Sequence, residues 1–375
     1  MKKIIGLIVE YNPFHNGHLH HIQKIEEFYP DSIKIAVMSG DFVQRGEPAV
    51  ISKNRRAKKA IEMGVDLIIE LPAFYSTQSA EIFARSAVGI LNILGCENFV
   101  FGSETNDIER LKKIAEMTLD EEFNKKLKKF LKEGYSYPTA FSKSLSDIKI
   151  ESNDMLGIEY IKALWFWKSK MQARSILRKS AKYYGENSED KIAGASVIRQ
   201  KILNKENYSQ YLVSASLLEE PFAFWEDFYP YLRYNILFNY NQLSSIQDIE
   251  IGLEQRIFKS AQKNINYRDF LNDIITKRYT NARLQRIFTH ILIGLTKEIT
   301  EKWKEEIPYI RVLGFSLKGQ FYLNKIKKID FPIISTKKNI QKRLSKEARE
   351  IFFWNERASE FYNWITGEKN EKTYN

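Results

Sequence analysis

The sequence predicts an α/β fold in which a doubly wound, Rossmann-like parallel sheet is followed by a mainly α-helical C-terminal domain. In the first half of the chain, short runs of Ile, Val and Leu alternate with segments of helical periodicity, a pattern typical of a parallel sheet covered by helices on both faces. After about residue 204, glycine becomes rare and long segments place apolar residues every three or four positions. We therefore predict one domain over residues 1–203 and a second over residues 204–375.

The elements of the first domain follow from these patterns in chain order. Each predicted strand is a short apolar run that stops at a polar or turn-forming residue. The strands cover residues 4–9, 33–38, 67–71, 98–101 and 171–178. Each predicted helix carries an apolar stripe at helical spacing. The helices cover residues 19–28, 54–63, 79–94, 111–133, 153–168 and 195–203.

The second domain is predicted from helical periodicity alone. Its helices cover residues 208–218, 222–238, 249–263, 267–279 and 281–299. A strand-like piece at residues 309–315 and a turn around residues 318–320 interrupt the helical pattern.

Composition excludes several classes of protein. Apolar residues make up 43% of the chain and aromatic residues 13%, which is too rich for a disordered protein. The single cysteine, Cys96, excludes a disulfide framework and a multi-cysteine zinc site, so we expect no disulfide partner. The apolar run at residues 4–9 is too short for a signal peptide, and no stretch approaches the roughly 20 apolar residues that span a bilayer. We expect a soluble, cytoplasmic protein.

The positive charge is concentrated in one part of the chain. The net charge is +11, and residues 251–350 alone contain 22 basic and 10 acidic side chains. Such a basic segment indicates a polyanionic partner, either a nucleic acid or an anionic membrane surface. We favour RNA, because the apolar faces of these helices are needed for a core. The alternative is an ordinary solvated helix surface.

The tetrapeptide His15-Asn16-Gly17-His18 lies between the first predicted strand and the first predicted helix. Open α/β sheets bind ligands at this edge, and a helix N-terminus offers unpaired N–H groups to phosphate. Two imidazoles three residues apart can donate hydrogen bonds to phosphoryl oxygens, and Gly17 permits close approach. Fixed donors of this kind stabilise charge on an α-phosphate while pyrophosphate is displaced. The alternatives are a chance pattern and a zinc site, which the turn position of both histidines disfavours.

Several longer motifs identify a family that the sequence resembles. They are GLIVEYNPFHNGHLHHI at the start, SGDFVQRGEPAV (39–50), DLIIELP (66–72), FGSE (101–104), SNDMLGIEYIKAL (152–164) and RVLGF (311–315). The first resembles the HxGH-type nucleotidyltransferase superfamily, whose members transfer adenylate from ATP. Together, and over residues 1 to about 325, the motifs resemble the bacterial tRNA(Met) cytidine acetate ligase family.

This resemblance implies an activity and a set of site residues. The family activates acetate with ATP and acetylates the wobble cytidine of elongator tRNA(Met). It implies ATP as a substrate, with acetate and tRNA(Met) as partners. From the residues themselves we expect Mg²⁺ on the ATP phosphates, no dedicated metal cage and no membrane partner. The catalytic residues that the resemblance implies in this sequence are His15 and His18. The residues implied to bind ATP are Leu7, Ile8, Val9, Glu10, Tyr11, Asn12, Pro13, Phe14, His15, Asn16, Gly17, His18, Leu19, His20, Gly102, Asn153 and Arg178.

Two of these assignments have alternatives. Lys179 is an alternative to Arg178 as a phosphate partner, and Asn153 would also serve as a helix N-cap. The segment 194–199 departs from the usual Ser/Thr-rich pattern of the superfamily, with Ser196 and Arg199 as its candidate phosphate ligands.

Other polar residues suggest further contacts. Arg45, in the loop after the second strand, could orient a carboxylate or phosphate. The cluster Lys53, Arg55 and Arg56 could contact RNA or form a solvated helix face. His20 could reach the ligand. His21 is predicted to be solvated and His290 to lie in a helical core.

Two other functions fit the same motif. One is an adenylate or cytidylate transferase acting on a small cofactor precursor, which would leave the basic segment unexplained. The other is an RNA-binding protein with an inactive nucleotide fold, which the intact HNGH motif disfavours.

Overall fold

The computed structural model describes residues 2–178, 192–213, 220–338 and 340–368. A single mixed sheet of seven strands lies at the centre of the fold. Its strands are β1 (Ile4–Val9), β2 (Ile33–Ser39), β3 (Leu67–Leu71), β4 (Asn98–Ser103), β5 (Gln172–Leu177), β6 (Ile310–Phe315) and β7 (Ile333–Ile334).

The strand order is β5-β4-β1-β2-β3-β6-β7. The first five strands are parallel, so their carboxyl ends meet at one edge of the sheet. The chain crosses from β1 to β2 on one side and later returns to β4 on the other, which makes the carboxyl end of β1 the topological switch point. The predicted doubly wound parallel sheet is confirmed.

Helices cover both faces of the first five strands and form the separate C-terminal layer. Those before residue 204 are α1 (Asn16–Phe28), α2 (Lys53–Glu62), α3 (Ala73–Ser76), α4 (Ala80–Ile93), α5 (Ile108–Met117), α6 (Glu121–Lys132), α7 (Tyr137–Ser144), α8 (Ser152–Phe166) and α9 (Ala195–Leu203). Those after it are α10 (Trp225–Phe238), α11 (Leu253–Lys263), α12 (Tyr267–Ile274), α13 (Asn281–Ile293), α14 (Lys297–Trp303), α15 (Leu317–Lys325), α16 (Ile340–Arg343) and α17 (Lys346–Thr366).

Alternate residues of β1 pack into different cores. Leu7 belongs to a cluster with residues of α1 and α2, while Ile4 belongs to a larger cluster with residues of α4, α5 and α8. Burying apolar side chains on both faces explains why the strands read as continuous Ile/Val/Leu runs. A third cluster joins α10, α11, α12 and α13 into the helical layer, where Phe228 and Phe270 are fully buried.

The last two strands come from the second half of the chain. The strand-like piece at residues 309–315 forms β6, which pairs antiparallel with β3, and β7 pairs parallel with β6. The sheet therefore contains residues from both sides of the boundary at 203/204 that the sequence predicted.

Four predicted helices differ from those observed. The helix predicted over residues 267–279 ends at Ile274. The segment 111–133 is two helices, because Asp120 caps a new helix by accepting a hydrogen bond from the backbone of Glu122. The segment 281–299 is interrupted at Gly294, which has the left-handed conformation typical of a helix end. Within the segment 208–218, the described residues form only a 3₁₀ turn, Ser209–Tyr211.

The C-terminal helix α17 contacts the carboxyl edge of the sheet. The Asn355 side chain accepts a hydrogen bond from the backbone of Ala73 at 2.8 Å, and the Tyr362 hydroxyl donates one to the Ala49 carbonyl at 2.6 Å. Among the described residues, no helix is both long and apolar enough to cross a membrane.

Candidate functional site

The HNGH loop, residues 10–18, runs from the end of β1 through the first residues of α1. His15 is the N-cap of α1, and its Nδ1 accepts a hydrogen bond from the Gly17 backbone at 3.0 Å. The Nδ1 of His18 accepts one from the His15 backbone at 3.3 Å, which completes a reciprocal capping box. An imidazole nitrogen that accepts carries no proton, so the proton of each neutral ring lies on Nε2. Both histidines therefore present an N–H donor on the side away from the backbone.

Aromatic packing fixes the two imidazole rings. They stack with their centroids 3.7 Å apart and 29° between planes, and Tyr11 packs edge-on against His18 at 4.9 Å. Tyr11 itself has φ +50°, a left-handed conformation that L-residues other than Gly, Asn and Asp rarely adopt. The Tyr11 ring also contacts Phe14 at 4.8 Å. The rings are thus held in place before any ligand binds.

Burial keeps both histidines neutral. Burial, together with the nearby charges of Arg178 and Arg199, lowers the pKa of His15 to about 3. Burial likewise lowers the pKa of His18, with His15 and Arg178 as additional causes. At neutral pH the site therefore combines two uncharged donors with two guanidinium groups.

The remaining residues of segment 7–20 line or support this loop. Leu7 is fully buried in the core, and the side chains of Ile8 and Val9 are half-buried at the end of β1. Pro13 is buried, and Leu19 and His20 lie half-buried on the first turns of α1. The Asn16 side chain donates a hydrogen bond to the Gln210 carbonyl at 3.1 Å.

Asn153 and Arg178 lie together beside the loop. Arg178 donates a hydrogen bond to the Asn153 side-chain oxygen at 3.2 Å, and the Asn153 amide donates to Glu104. Asn153 is not the N-cap, since α8 begins at Ser152 after Glu151, so that reading of Asn153 was wrong. Lys179, the alternative phosphate partner, lies outside the described residues.

Two carboxylates connect the end of β4 to the start of α8. The sequence analysis predicted no role for either of them. Glu104 accepts hydrogen bonds from the backbones of Asn153 and Asp154, at 3.3 and 2.8 Å. Asp154 accepts in return from the backbones of Glu104 and Thr105, at 3.1 and 3.2 Å. The FGSE and SND motifs carried the signal, since a carboxylate after a strand and another in the first turn of a helix can satisfy unpaired N–H groups. This reciprocal pair fixes Asn153 beside Arg178.

Gly102 lies directly against the Arg178 side chain. A Cβ at Gly102 would lie 3.0 Å from Cγ of Arg178 and 3.4 Å from Cδ. The absence of a side chain at residue 102 therefore gives Arg178 room to reach Asn153.

Arg199, on α9, links two loops at the carboxyl edge. It donates hydrogen bonds to the Asn12 carbonyl at 2.9 Å and to the Glu47 carboxylate at 2.8 Å. The side chain of Ser196, the other candidate in this segment, is exposed. The Asn12 side chain in turn accepts from the Val50 backbone at 2.7 Å. The HNGH loop and loop 41–48 are thus held together by one arginine and one asparagine.

Loop 41–48 lies between this site and the helical layer. The Gly46 carbonyl accepts a hydrogen bond from Thr289 on α13 at 2.8 Å. The Gln44 backbone donates to the Glu10 carboxylate at 2.9 Å. Arg45 is exposed at the tip of the loop.

The basic cluster at the start of α2 is mostly turned inward. Lys53 is buried and donates to Glu70 at 2.7 Å, and Arg56 is 0% exposed and donates to the carbonyls of Glu10 and Ser39. Arg55 donates to the Glu368 carboxylate at 3.3 Å. The hypothesis that Lys53 and Arg56 contact RNA was wrong, because both side chains are buried.

Part of the positive charge in residues 251–350 is paired within the protein. Glu250 accepts from both Arg278 and Arg283, and Lys337 lies 2.6 Å from Glu356. The side chains of other basic residues are exposed, and these include Lys259, Arg268, Lys277, Lys338, Lys342 and Lys346.

The other histidines have different surroundings. His290 is fully buried, as predicted, between the carbonyls of Thr77 and Gln247. His21, predicted to be solvated, is half-buried, and burial lowers its pKa to about 4, with Arg178 and His20 as further causes.

Comparison with known proteins agrees with this geometry. The family model described as HIGH nucleotidyl transferase matches residues 1–375. The tRNA(Met) cytidine acetate ligase of Fusobacterium nucleatum is 48% identical over 96% of this chain and 95% of its own. That of Bacillus subtilis is 40% identical over 89% of this chain and 87% of its own. The chain belongs to the tRNA(Met) cytidine acetate ligase family of HIGH nucleotidyl transferases. The resemblance drawn from the motifs is confirmed.

Solved structures of the same family share the whole fold. Apo Thermotoga maritima TmcAL superposes with a TM-score of 0.90, at 32% identity and 99% coverage of both chains. The same protein bound with alpha-thio ATP gives a TM-score of 0.88 at 34% identity, covering 97% of this chain and 95% of that one. The chain thus has the fold of an enzyme family.

Proposed function

We propose that this protein is an ATP-dependent ligase that activates acetate as acetyl-adenylate and acetylates N4 of the wobble cytidine of elongator tRNA(Met), forming N4-acetylcytidine. The observation that carries the proposal is the pair of neutral imidazoles at the N-terminus of α1, each with Nδ1 occupied by a backbone N–H and Nε2–H available to a ligand. The names of its relatives supply the substrate.

In the first step an acetate oxygen attacks the α-phosphorus of ATP, the bond to the β-phosphate oxygen breaks, and pyrophosphate leaves. The Nε2–H groups of His15 and His18 donate to phosphate oxygens as charge develops on them. Arg178 and the N-terminus of α1 add positive potential at the same edge. The other residues of segment 7–20, Glu10 through its backbone alone, form the rest of the ATP site in this proposal together with Gly102 and Asn153.

A divalent cation would belong to the nucleotide. Among the described residues, no group of three or more His, Cys, Asp or Glu side chains converges to hold a metal ion. Mg²⁺ commonly keeps several waters and binds substrate phosphates. It would therefore arrive on ATP and neutralise the triphosphate.

The second step transfers the acetyl group to a tRNA base held in the same site. The anticodon base must leave its stack to reach a recessed centre. The exposed basic residues of region 204–375 supply positive charge for the phosphate backbone. We infer that residues 1–203 carry the catalysis and that the later residues bind tRNA. A cytoplasmic location, where ATP and tRNA meet, completes the proposal.

The decisive assay supplies ATP, acetate and unmodified tRNA(Met) and follows both pyrophosphate and N4-acetylcytidine in the digested tRNA. The wild-type protein should form both products, and His18→Ala should form neither at a comparable rate. Gln23→Ala, an exposed change on the same helix, serves as the matched control and should retain activity. Pyrophosphate release with no acetylated nucleoside would overturn the proposal in favour of adenylation of another acceptor.

A further inference from the structure

The side-chain carboxylate of Glu10 lies at the switch point of the sheet and takes no part in either step of the proposed reaction as described so far. It follows the last residue of β1 and precedes His15 by five positions. Its carbonyl accepts a hydrogen bond from the buried Arg56 at 2.6 Å, and its Oε1 accepts one from the Gln44 backbone at 2.9 Å. The backbone and one carboxylate oxygen are thereby fixed. Among the described residues, Oε2 has no hydrogen-bond partner.

Charged groups from three other elements lie near Glu10. They are Arg199 on α9, Arg45 and Glu47 in loop 41–48, and Arg56 on α2. Burial raises the pKa of Glu10, while the Gln44 hydrogen bond and Arg199 oppose that effect and Glu47 adds to it. A carboxylate with a raised pKa holds a proton more readily than one in water.

The proposed reaction needs a proton acceptor. The cytidine amino group loses a proton when it forms an amide, and the acceptor must lie near the switch point. His15 and His18 cannot take the proton at Nδ1, since backbone N–H groups occupy both atoms. Arginine stays protonated and cannot accept one.

The other nearby carboxylates are already engaged. Glu47 accepts a hydrogen bond from Arg199 at 2.8 Å. Glu104 and Asp154 accept hydrogen bonds from each other's backbone segments. Among these described carboxylates beside the HNGH loop, Glu10 is therefore the one with an oxygen that accepts no hydrogen bond.

We propose that Glu10 is a catalytic residue that accepts the proton of the attacking amine in the acetyl-transfer step. The inference rests on the proposed function and assigns a base to its second half. The amine nitrogen forms a bond to the carbonyl carbon of acetyl-adenylate, and the bond from that carbon to the phosphate oxygen breaks. AMP leaves as an anion, and the amine proton moves to Oε2 of Glu10.

A single-turnover experiment separates the two steps. Enzyme in excess over tRNA is mixed with ATP, radiolabelled acetate and unmodified tRNA(Met), then quenched, and both acetyl-adenylate and acetylated tRNA are quantified. In Glu10→Gln, acetyl-adenylate should form at a rate within a few-fold of wild type, and its transfer to tRNA should slow by about 10²- to 10⁴-fold. Glu62→Gln, an exposed isosteric change on α2, is the control and should match wild type.

A pH profile and a second variant exclude a purely structural effect. Wild-type transfer should fall at acid pH as Glu10 becomes protonated, and this limb should be missing in Glu10→Gln. Glu10→Asp, which keeps a shorter carboxylate, should recover part of the rate and the acid limb. An equal loss of both steps in Glu10→Gln, or a loss of neither, overturns the role of Glu10. A wild-type protein that forms no acetylated tRNA overturns the proposed function instead.

Discussion

The imidazole ring of His15 stacks on that of His18 at a centroid distance of 3.7 Å, and each ring accepts a backbone hydrogen bond through Nδ1. Capping fixes the tautomer of each ring, because a proton on Nδ1 would face a backbone N–H and break a hydrogen bond at the helix N-terminus. The local structure of α1 and the chemistry of the site are therefore set by the same two side chains. A substitution can be chosen to remove one of these functions at a time.

Two amide replacements of His18 test this separation. Asn can imitate Nδ1 but not Nε2, whereas the longer Gln can place an N–H near the position of Nε2. We expect His18→Asn to lower kcat/KM for ATP in the ligase reaction by about 10²- to 10³-fold, since a donor to developing charge is lost. His18→Gln should lose less. Steady-state kinetics checks this, and equal rates for the two variants would contradict the assignment of the donor to Nε2.

Buried histidines should make stability depend on pH. The pKa of His15 is about 3 and that of His21 about 4, against about 6.5 in an unfolded chain. Below pH 6.5 the unfolded chain binds protons that the folded protein does not, so stability is fully present above that pH and lost as the pH falls. The loss from one such group between pH 7 and pH 5 is about 2 kcal/mol.

Urea unfolding at pH 7 and pH 5 measures that loss. His21→Gln removes one titrating group, so its free energy of unfolding should fall by about 2 kcal/mol less than that of wild type over the same interval. If the variant and the wild type lose the same amount, the imidazole of His21 is not held neutral by the fold.

A buried cluster of Lys53, Glu70 and Asp41 connects α17 to the sheet. Lys53 donates to Glu70 at 2.7 Å and to Ser359 on α17 at 2.6 Å, and Asp41 lies 3.6 Å away. Burial alone would lower the pKa of Lys53, but the charges of Glu70 and Asp41 overcome burial and raise it. The Lys53 side chain therefore lies between two buried carboxyl groups within the core.

Lys53→Met should leave two buried carboxylates without their cation. We expect the free energy of unfolding to fall by about 3–5 kcal/mol, as removal of one partner from a buried ion pair typically costs. The double variant Lys53→Met with Glu70→Gln should lose less than the two single variants together. A double-mutant cycle in urea measures both, and a single-variant loss below about 1 kcal/mol would contradict the role of Lys53.

The parts of the fold that depend on local pattern could be predicted from the sequence. β1 and β3 match their predicted bounds, because their continuous apolar runs have one stable environment, a sheet buried on both faces. The position of the HNGH motif at the ligand-binding edge of the sheet could also be predicted, because it lies between a strand and a helix in the sequence. The hydrogen bonds by which His15 and His18 cap α1, and the tautomers that follow from them, depend on atomic distances and could not be predicted from the spacing of the two histidines in the sequence.

Long-range pairings could not be predicted. The antiparallel pairing of β6 with β3 joins segments about 240 residues apart in the chain, and no local pattern specifies it. Charge counts also misled at Lys53 and Arg56, since a basic residue in a helical pattern does not reveal whether carboxylates or carbonyls face it. The reciprocal hydrogen bonds of Glu104 and Asp154 depend on the packing of β4 beside α8, which the sequence alone does not specify.

Gly46 lies directly against the backbone of α13. It has φ +75°, and a Cβ there would lie 2.1 Å from the backbone nitrogen of Arg286. Gly252 offers a matched control, because its φ is +89° and a Cβ would meet nothing within 4 Å. Alanine at either position carries the conformational cost of the left-handed region, about 1–2 kcal/mol.

Only Gly46→Ala should also displace loop 41–48, which holds the Glu10 carboxylate through Gln44 and Arg199 through Glu47. We therefore expect Gly252→Ala to lower the free energy of unfolding by about 1–2 kcal/mol and to retain the rate of tRNA acetylation. Gly46→Ala should lose more stability and also slow acetylation at saturating ATP and tRNA, because the clash with α13 moves groups at the carboxyl edge of the sheet. Urea unfolding and kcat measured on both variants test this. Equal effects of the two substitutions would show that the contact between loop 41–48 and α13 does not position the site.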